Sequence, residues 1–565
     1  MQRTPHLRML FRFANRQLCR SKEFHSRRST AQKLNKPQRR WQSVPYVRLG
    51  VLLAGAGVIG YDGIVNEFTY CGASVRFARS LKTASLIAVD YLWLNKNDPE
   101  YEIKKKVVHE SSANRLLETC LLNGGLYIKV GQGFAAINHI LPIEYTSILS
   151  KLQDQCLPTS KSDIQKVFRT DFGQLPEDIF QEFDYKPVAA ASLAQVFKAR
   201  LQSGEQVAVK VQYSDLQKRF ISDLATIIFL QDIIEFIFKD YNFGWILNDL
   251  RKNLVHELNF VQEGKNAERC ARDLQKLSYV RVPKVFWGHT KTRVLTLEWM
   301  DGLKISNMEG IKRLGLRLID IDHKLFKVFA EQIFHTGFVH ADPHPGNIFV
   351  RKSATGGDAD IILLDHGLYE ELPHDVRIPL CEFWEATVLR NEPRMKAAAN
   401  KMQVVDHMKF AAVLFQQPIK MEGGRIRSKL TQEDIDYVQK VAKENFDIIM
   451  STLKEMPRSL LFVVRNLNTV RAIGDMHGDL VDRPRIMARC AQSCLYKQSR
   501  SPTQYIHWLY RRIYFEYCLW ASAFRVRLLD WYFNFLYLVG RAPAGARTLM
   551  RDIMKQEKQV LHKID

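Results

Sequence analysis

Two short polar strings, each flanked by apolar runs of strand length, constrain this chain more than anything else in it. The first is His340-Ala341-Asp342-Pro343-His344-Pro345-Gly346-Asn347, with Phe338-Val339 before it and Ile348-Phe349-Val350 after it. The second is Leu364-Asp365-His366-Gly367, entered from Ile361-Ile362-Leu363. Thr355-Gly356-Gly357-Asp358 lies between them and reads as a turn. The order loop, strand, turn, strand, loop predicts a hairpin that returns both strings to one end. A string rich in Pro and Gly is by itself only a turn. Here the two strings together gather three hard oxygen donors, on Asp342, Asn347 and Asp365. Mg²⁺ favours such donors and commonly takes one or two carboxylates alongside phosphate oxygens. Asn347 and Asp365 are therefore the candidate metal ligands, and Asp342 is left to orient or deprotonate an acceptor.

The spacing of Asp342 and Asn347 matches the H-R-D-L-x-x-x-N loop of kinases, and Asp365 opens D-H-G where a kinase has D-F-G. Upstream, Gln206-Val207-Ala208-Val209-Lys210-Val211 is a short apolar strand carrying one lysine. It fits the V-A-I-K pattern whose lysine pairs with nucleotide phosphates. Alone this is weak, because strands often end in lysine. A kinase fold also needs a helix glutamate to hold the lysine, and Glu257 and Glu263 are the candidates. The Gly-rich phosphate loop of protein kinases is missing. In its place stands Ala189-Ala190-Ala191-Ser192, which is small but lacks the φ freedom of glycine. Glu298-Trp299-Met300 falls where a kinase hinge presents backbone groups to adenine.

Together these strings resemble the UbiB/ABC1 family, the AarF-domain-containing atypical kinases. The resemblance covers roughly residues 110 to 480 and includes Lys129-Val130-Gly131-Gln132 as the K-x-G-Q motif. It implies a bilobal, protein-kinase-like α+β fold with an N-terminal helical K-x-G-Q extension, and it implies ATP and Mg²⁺ as cofactors. By the same resemblance Lys210 contacts the phosphates and pairs with Glu263, and Asp342 is the catalytic-loop aspartate. Asn347 and Asp365 bind Mg²⁺. Ala189, Ala190, Ala191 and Ser192 cover the nucleotide, with Glu298 and Met300 at the hinge. Lys129, Gln132 and Glu257 form a regulatory cluster over the place where a protein kinase takes its peptide, so ordinary protein substrates are excluded. The chain departs from the family at its E-x-D motif, which reads Glu257-Leu258-Asn259. An amide there removes a charge from any lysine or metal contact.

Apart from the resemblance, Lys129 and Gln132 are three apart and share a helix face. Gly124, Gly125, Gly131 and Gly133 around them read equally as a helix-packing segment that lets another element approach closely.

The net charge of +22 looks like a nucleic-acid signal until it is divided. Residues 1–48 hold thirteen Lys and Arg against one acid, Glu23, so more than half of the excess lies there. Arg8, Arg12, Arg16 and Arg20 form one helical stripe. An Arg-rich, acid-poor amphipathic start reads as a mitochondrial transit segment over 1–44; a basic tail touching anionic surfaces is the plainer alternative. Residues 45–64, centred on Leu49 to Tyr61, are expected to form a single transmembrane segment, although the apolar run is shorter than the roughly 20 residues of a typical span. A mitochondrial inner-membrane location follows as an expectation. Residues 505–540 mix aromatics with Arg511, Arg512, Arg525 and Arg527. That mixture suits an interfacial helix or a helix packed on the core, and Asp530 argues against a second full span.

The nine cysteines are scattered, and Cys490 and Cys494 have no matching sequence pair that would complete a zinc motif. A reduced compartment without a disulfide framework is expected. Gly474-Asp475-Met476-His477-Gly478-Asp479 resembles a metallophosphatase string. However, a two-metal site draws ligands from several separate loops, and a loop after the helix from Leu460 to Ala472 is the better reading.

The expected order is a basic arm (1–44), an anchor (45–64), linker helices (65–109), the K-x-G-Q extension (110–170), a small lobe (171–302), a large lobe (303–490) and an amphipathic helical tail (491–565). The expected function is an ATP-dependent kinase or ATPase with no nucleic-acid partner and an unknown acceptor, either a protein hydroxyl, a small or lipophilic molecule, or water. The alternative is a nucleotide-gated lipid-binding or scaffold protein.

Overall fold

The computed structural model describes residues 69–95, 97–136, 141–153, 160–190, 193–237, 258–354, 356–415, 456–497 and 502–538. The basic arm, the expected anchor, Glu257, Ala191 and Ser192 lie outside them. Among the described residues no helix is long and apolar enough to cross a membrane.

Helices α1 (Thr69–Leu92), α2 (Tyr101–Asn123), α3 (Gly125–Ala136) and α4 (Ile143–Leu149) come first. α2 runs unbroken across residue 110, so linker and extension share one helix. α3 carries the K-x-G-Q string and packs between α2, α4 and the turn at Ser150–Gln153. Gly131 is what allows this approach. A Cβ at that position would overlap Leu152 Cδ1 and stand 3.2 Å from Cys120 Sγ, and Leu152 is fully buried. Gly131→Ala is therefore expected to cost about 1–3 kcal/mol, the usual penalty of overpacking, read as a lower urea midpoint with an unchanged slope.

α5 (Lys161–Phe172) and α6 (Pro176–Ile179) lead into the small-lobe sheet. Its strands are β1 (Phe180–Phe183), β2 (Ala189–Ala190), β3 (Ala194–Leu201), β4 (Gln206–Gln212) and β6 (Val294–Glu298), paired antiparallel in the order β1-β3-β4-β6, with β2 on β3. Val207, Val209 and Val211 alternate along β4 and fill one face against Ile164, Val167 and Phe168 of α5. Because neighbouring side chains on a strand point to opposite faces, Lys210 is turned to the other side. α5 thus belongs to the small-lobe core, although the sequence placed most of it in the extension. α7 (Leu216–Ile237) and α8 (Phe260–Asp273) follow β4.

The large lobe opens with β5 (Val280–Arg281), which precedes β6 in the chain yet pairs in parallel with β10 of a second sheet. That sheet has the order β5-β10-β9-β7, with β7 (Leu303–Lys304), β9 (Ile348–Lys352) and β10 (Ala359–Leu363). β9 and β10 form the expected hairpin, with Leu363 opposite Ile348. β8 (Phe338–His340) pairs with β11 (Tyr369–Glu371). Around these strands lie α9 (Met308–Arg313), α10 (Leu318–Ala330), a π-helical turn (Glu331–Thr336), α11 (His374–Val388), α12 (Glu392–Lys401), α13 (His407–Phe415), α14 (Arg458–Met476) and α15 (Arg483–Lys497). α14 outlasts the expected helix by one turn. The phosphatase-like string that follows is structural: the buried His477 bonds Asp322 at 2.5 Å and the Ile305 carbonyl at 2.9 Å.

Of the expected tail, residues 491–497 complete α15, and the described residues beyond them form one long helix, α16 (Pro502–Leu538). Its N-terminal part docks on the large lobe. Phe515 is fully buried in the main core, Arg489 forks onto both carboxylate oxygens of Glu516 at 2.9 Å, and Arg511 pairs with the buried Glu385.

Candidate functional site

The two loops meet because the backbone ties them together. Ala341 N–H donates to the Leu368 carbonyl at 3.0 Å, and Leu364 N–H donates to the Asn347 carbonyl at 3.0 Å. From the opposite lobe, β4 delivers Lys210 and α8 delivers Glu263. The ammonium donates to Glu263 Oε1 at 2.7 Å and lies 3.7 Å from Asp365 Oδ2. A cavity of about 60 Å³ between the lobes is lined by Lys129, Lys210, Glu263, Asp342, Asn347 and Asp365, with Leu193, Ala194 and Phe260 among its apolar walls.

Charge in this cavity is tightly compensated. Glu263 is buried, and burial pushes its carboxyl above the ordinary range although Lys210 opposes the shift. Burial acts in the same direction on Asp365, but Lys210, the Gly367 N–H and Lys129 outweigh it and hold that carboxyl well below the usual range. Asp342 is likewise held low, with burial overcome chiefly by Arg465 and Lys129. Both aspartates are thus anionic at neutral pH, as metal ligation or proton acceptance requires.

A hard divalent cation fits these groups. The Asn347 carboxamide makes no hydrogen bond among the described residues. The side chains of Asp365 and Asp342 are each about a third open to the cavity. Asp365 and Asn347 would hold Mg²⁺, and Lys210 would meet the phosphate oxygens that complete such a shell.

The expected residues do not all converge. Lys129 reaches the cavity, whereas Gln132 turns away and donates to the Leu152 carbonyl at 2.9 Å, so the shared helix face splits between site and packing. Ala189 and Ala190 form a short strand against Val196 and Gln195. Glu298 and Met300 lie beyond the cavity lining. The Glu298 N–H donates to the Lys284 carbonyl at 2.8 Å, and Met300 Sδ faces an Arg351 nitrogen at 3.9 Å. Asn259, the departure in the E-x-D string, is the N-cap of α8, and its side chain accepts from Val261 N–H at 3.1 Å. Asn and Asp serve that role about equally, so the amide still anchors the helix that carries Glu263.

Four supporting residues escaped the sequence reading. Arg465 on α14 approaches Asp342 at 3.6 Å, and the adjacent Asn466 donates to the His340 carbonyl at 2.7 Å. Gln332 accepts from His340 N–H at 3.1 Å. Asn266 donates to the His366 carbonyl at 3.0 Å. Asn466 left one trace in the sequence, a polar residue within the apolar stripe of α14.

A sheet-borne lysine held by a helix glutamate, facing an aspartate and an asparagine in one loop and a D-x-G aspartate in another, defines a kinase-like bilobal α+β fold with its cleft between the lobes. Residues 151–399 match the ABC1 atypical kinase-like domain. The chain is 34% identical to the AarF domain-containing protein kinase 1 of Gallus gallus over 82% of this chain and 90% of that one. It is 38% identical to the probable serine/threonine-protein kinase abkD of Dictyostelium discoideum over 75% of this chain and 62% of that one. Among solved structures it resembles the Rv3197–erythromycin complex of Mycobacterium tuberculosis, with 19% identity, a TM-score of 0.44 and coverage of 70% and 98% of the two chains. The chain belongs to the ABC1 family of AarF-domain-containing atypical kinases.

Proposed function

We propose that this protein is an Mg²⁺- and ATP-dependent phosphotransferase or ATPase working at a mitochondrial membrane. The observation that carries the chemistry is the Lys210 ammonium, 2.7 Å from Glu263 and 3.7 Å from Asp365, across the same cavity as Asp342 and Asn347. In phosphoryl transfer the protein contributes mainly positioning and electrostatic stabilisation, and these residues supply both. Bound Mg²⁺ would neutralise charge developing on the transferred phosphoryl group. Lys210 would orient the phosphates, and Asp342 would align or accept the proton of an acceptor hydroxyl. Lys129 stands in the cavity wall, which favours a small acceptor or water over a folded protein segment. The mitochondrial location rests on the Arg stripe of residues 8–20 and the apolar run at 49–61.

The test is thermal unfolding of the full chain with and without Mg²⁺-ATP, beside Asp365→Asn. Ligand at about 100 times Kd adds roughly 2.7 kcal/mol to stability. A Mg²⁺-dependent rise in Tm in the parent protein, absent in Asp365→Asn, is the expected result. Turnover should fall about 10²-fold or more in Asp342→Asn. No rise in a folded parent protein, or turnover unchanged in Asp342→Asn, removes the proposal.

A second reading is a nucleotide-gated lipid-binding or scaffold role, and α16 favours it. Ile506, Tyr510, Ile513, Tyr517, Trp520, Phe524, Leu528, Trp531 and Phe535 recur at steps of three or four, each between 46 and 67% exposed. One helix face therefore carries a continuous aromatic and aliphatic stripe, the composition that lies at a membrane interface. Vesicle co-sedimentation lost on deleting residues 520–538, together with no turnover, would establish this reading over the first.

A further inference from the structure

The π-helical turn Glu331–Thr336 sits where the large-lobe core meets the strand leading to Asp342. Such turns are rare and occur frequently at functional sites. Two of its residues, Glu331 and His335, point toward Cys490 on α15. Glu331 Oε2 is 3.8 Å from His335 Nε2 and 3.8 Å from Cys490 Sγ. The donor atoms of all three residues lie within 4.8 Å of one another, the one such cluster among the described residues. From these donors and distances we propose that Glu331, His335 and Cys490 form a zinc site with an open fourth position that ties α15 to the π-helical turn.

The chemistry selects the ion. A thiolate with an imidazole and a carboxylate is a soft-to-borderline set that suits zinc and does not suit Mg²⁺, so this site and the phosphate site do not compete for one metal. Zinc lies about 2.0–2.3 Å from such ligands, so the edges of a tetrahedron around it are roughly 3.3–3.8 Å. Two edges already meet that limit, and the third lies within 4.8 Å, so it closes by at most about 1 Å. His335 Nε2 also lies 2.7 Å from Ser493 Oγ, and binding exchanges that hydrogen bond for a metal bond. Cys490 enters as the thiolate, releasing its proton to solvent.

An independent observation points to the same place. The Tyr279 hydroxyl is buried without a hydrogen-bond partner, within electrostatic reach of Glu331 and Cys490. A water in the fourth position of the ion would give this hydroxyl a partner and complete the coordination of three protein ligands, as in zinc sites that keep one position open. The site also bears on the catalytic loop. Gln332, between the two ligands in sequence, holds His340 N–H, so fixing the turn fixes the base of the loop that carries Asp342.

The experiment is metal analysis of the full chain purified without chelator, followed by replacement with Co²⁺. About one zinc per chain is expected, with a thiolate-to-cobalt charge-transfer band in the near ultraviolet. Both should be lost in Cys490→Ser, and zinc retention should fall in Glu331→Gln, a shape-preserving change that serves if Cys490→Ser does not fold. Zinc at background level in the parent protein, or a cobalt spectrum that Cys490→Ser leaves unchanged, overturns the proposal. A readout by metal content is independent of ATP turnover.

Discussion

Lys210→Met should destabilise the folded chain by about 3–5 kcal/mol at neutral pH, the cost of leaving one partner of a buried ion pair uncompensated. The Glu263 side chain is only 5% exposed, and with Lys210 present its carboxyl is already pushed above the ordinary range by burial. Removing the ammonium leaves that carboxylate in the protein interior beside Asp365, so its folded-state pKa climbs further. A carboxyl whose folded pKa is raised contributes stability that is fully present below the unfolded value of 4.5 and is lost as pH rises through the folded one. The deficit of the variant should therefore be greatest at neutral and alkaline pH and should narrow toward pH 4.5. The double variant Lys210→Met/Glu263→Gln removes the buried carboxylate and leaves only the partly open Asp365 without the ammonium, so it should recover much of the loss. Urea unfolding of the two variants across pH is the measurement. A single variant as stable as the double, with a deficit that ignores pH, would mean that packing and not charge holds the lobes at this point.

Lys210 and the catalytic hairpin were legible in the sequence because they obey local rules, whereas the residues alone left both Glu257 and Glu263 open as the lysine's partner and only the family resemblance pointed to Glu263. Alternation along β4 turned Lys210 away from Val207, Val209 and Val211, and turn chemistry at Gly356 and Gly357 closed the hairpin that gathers Asn347 and Asp365. What stayed hidden depends on partners far along the chain. Asn466 meets the His340 carbonyl across 126 residues, and His477 meets Asp322 across 155. No periodicity encodes such contacts; they follow from how helices pack. The same reason kept Cys490 from being paired with Glu331, 159 residues away, when cysteine spacing alone was considered. Gln132 illustrates the converse error. Three-residue spacing placed it beside Lys129, but the Leu152 carbonyl at a helix end needed a donor and took the amide. Asn259 is a third kind of case. As a motif position it looked like a lost charge, whereas its local role as an N-cap is one that Asn fills as well as Asp.

The histidine of Asp365-His366-Gly367 should make the fold sensitive to mild acid. His366 is buried. Its Nε2 lies 3.0 Å from the Leu363 carbonyl and its Nδ1 lies 2.9 Å from the Tyr369 hydroxyl. The consistent assignment is a neutral ring that donates from Nε2 and accepts at Nδ1. Burial, with the neighbouring His340, pulls its pKa from 6.5 down to about 4. Between those values the unfolded chain binds a proton at His366 that the folded chain does not, so stability falls as pH drops through the window. At about 1.36 kcal/mol for each pH unit, full descent costs roughly 3 kcal/mol. Burial lowers His340 as well, and its contribution has the same sign. Glu263 works the other way over part of the range, because its raised carboxyl takes up a proton in the folded state first. The total pH curve is thus a composite, and the difference between the parent protein and His366→Phe isolates the histidine. Phenylalanine keeps a ring in the pocket and cannot charge. The variant should lose about 3 kcal/mol less than the parent between pH 6.5 and 4, whatever its stability at neutral pH. Parallel curves for the two proteins over that window would place the acid sensitivity elsewhere in the cleft and leave His366 with a purely steric role.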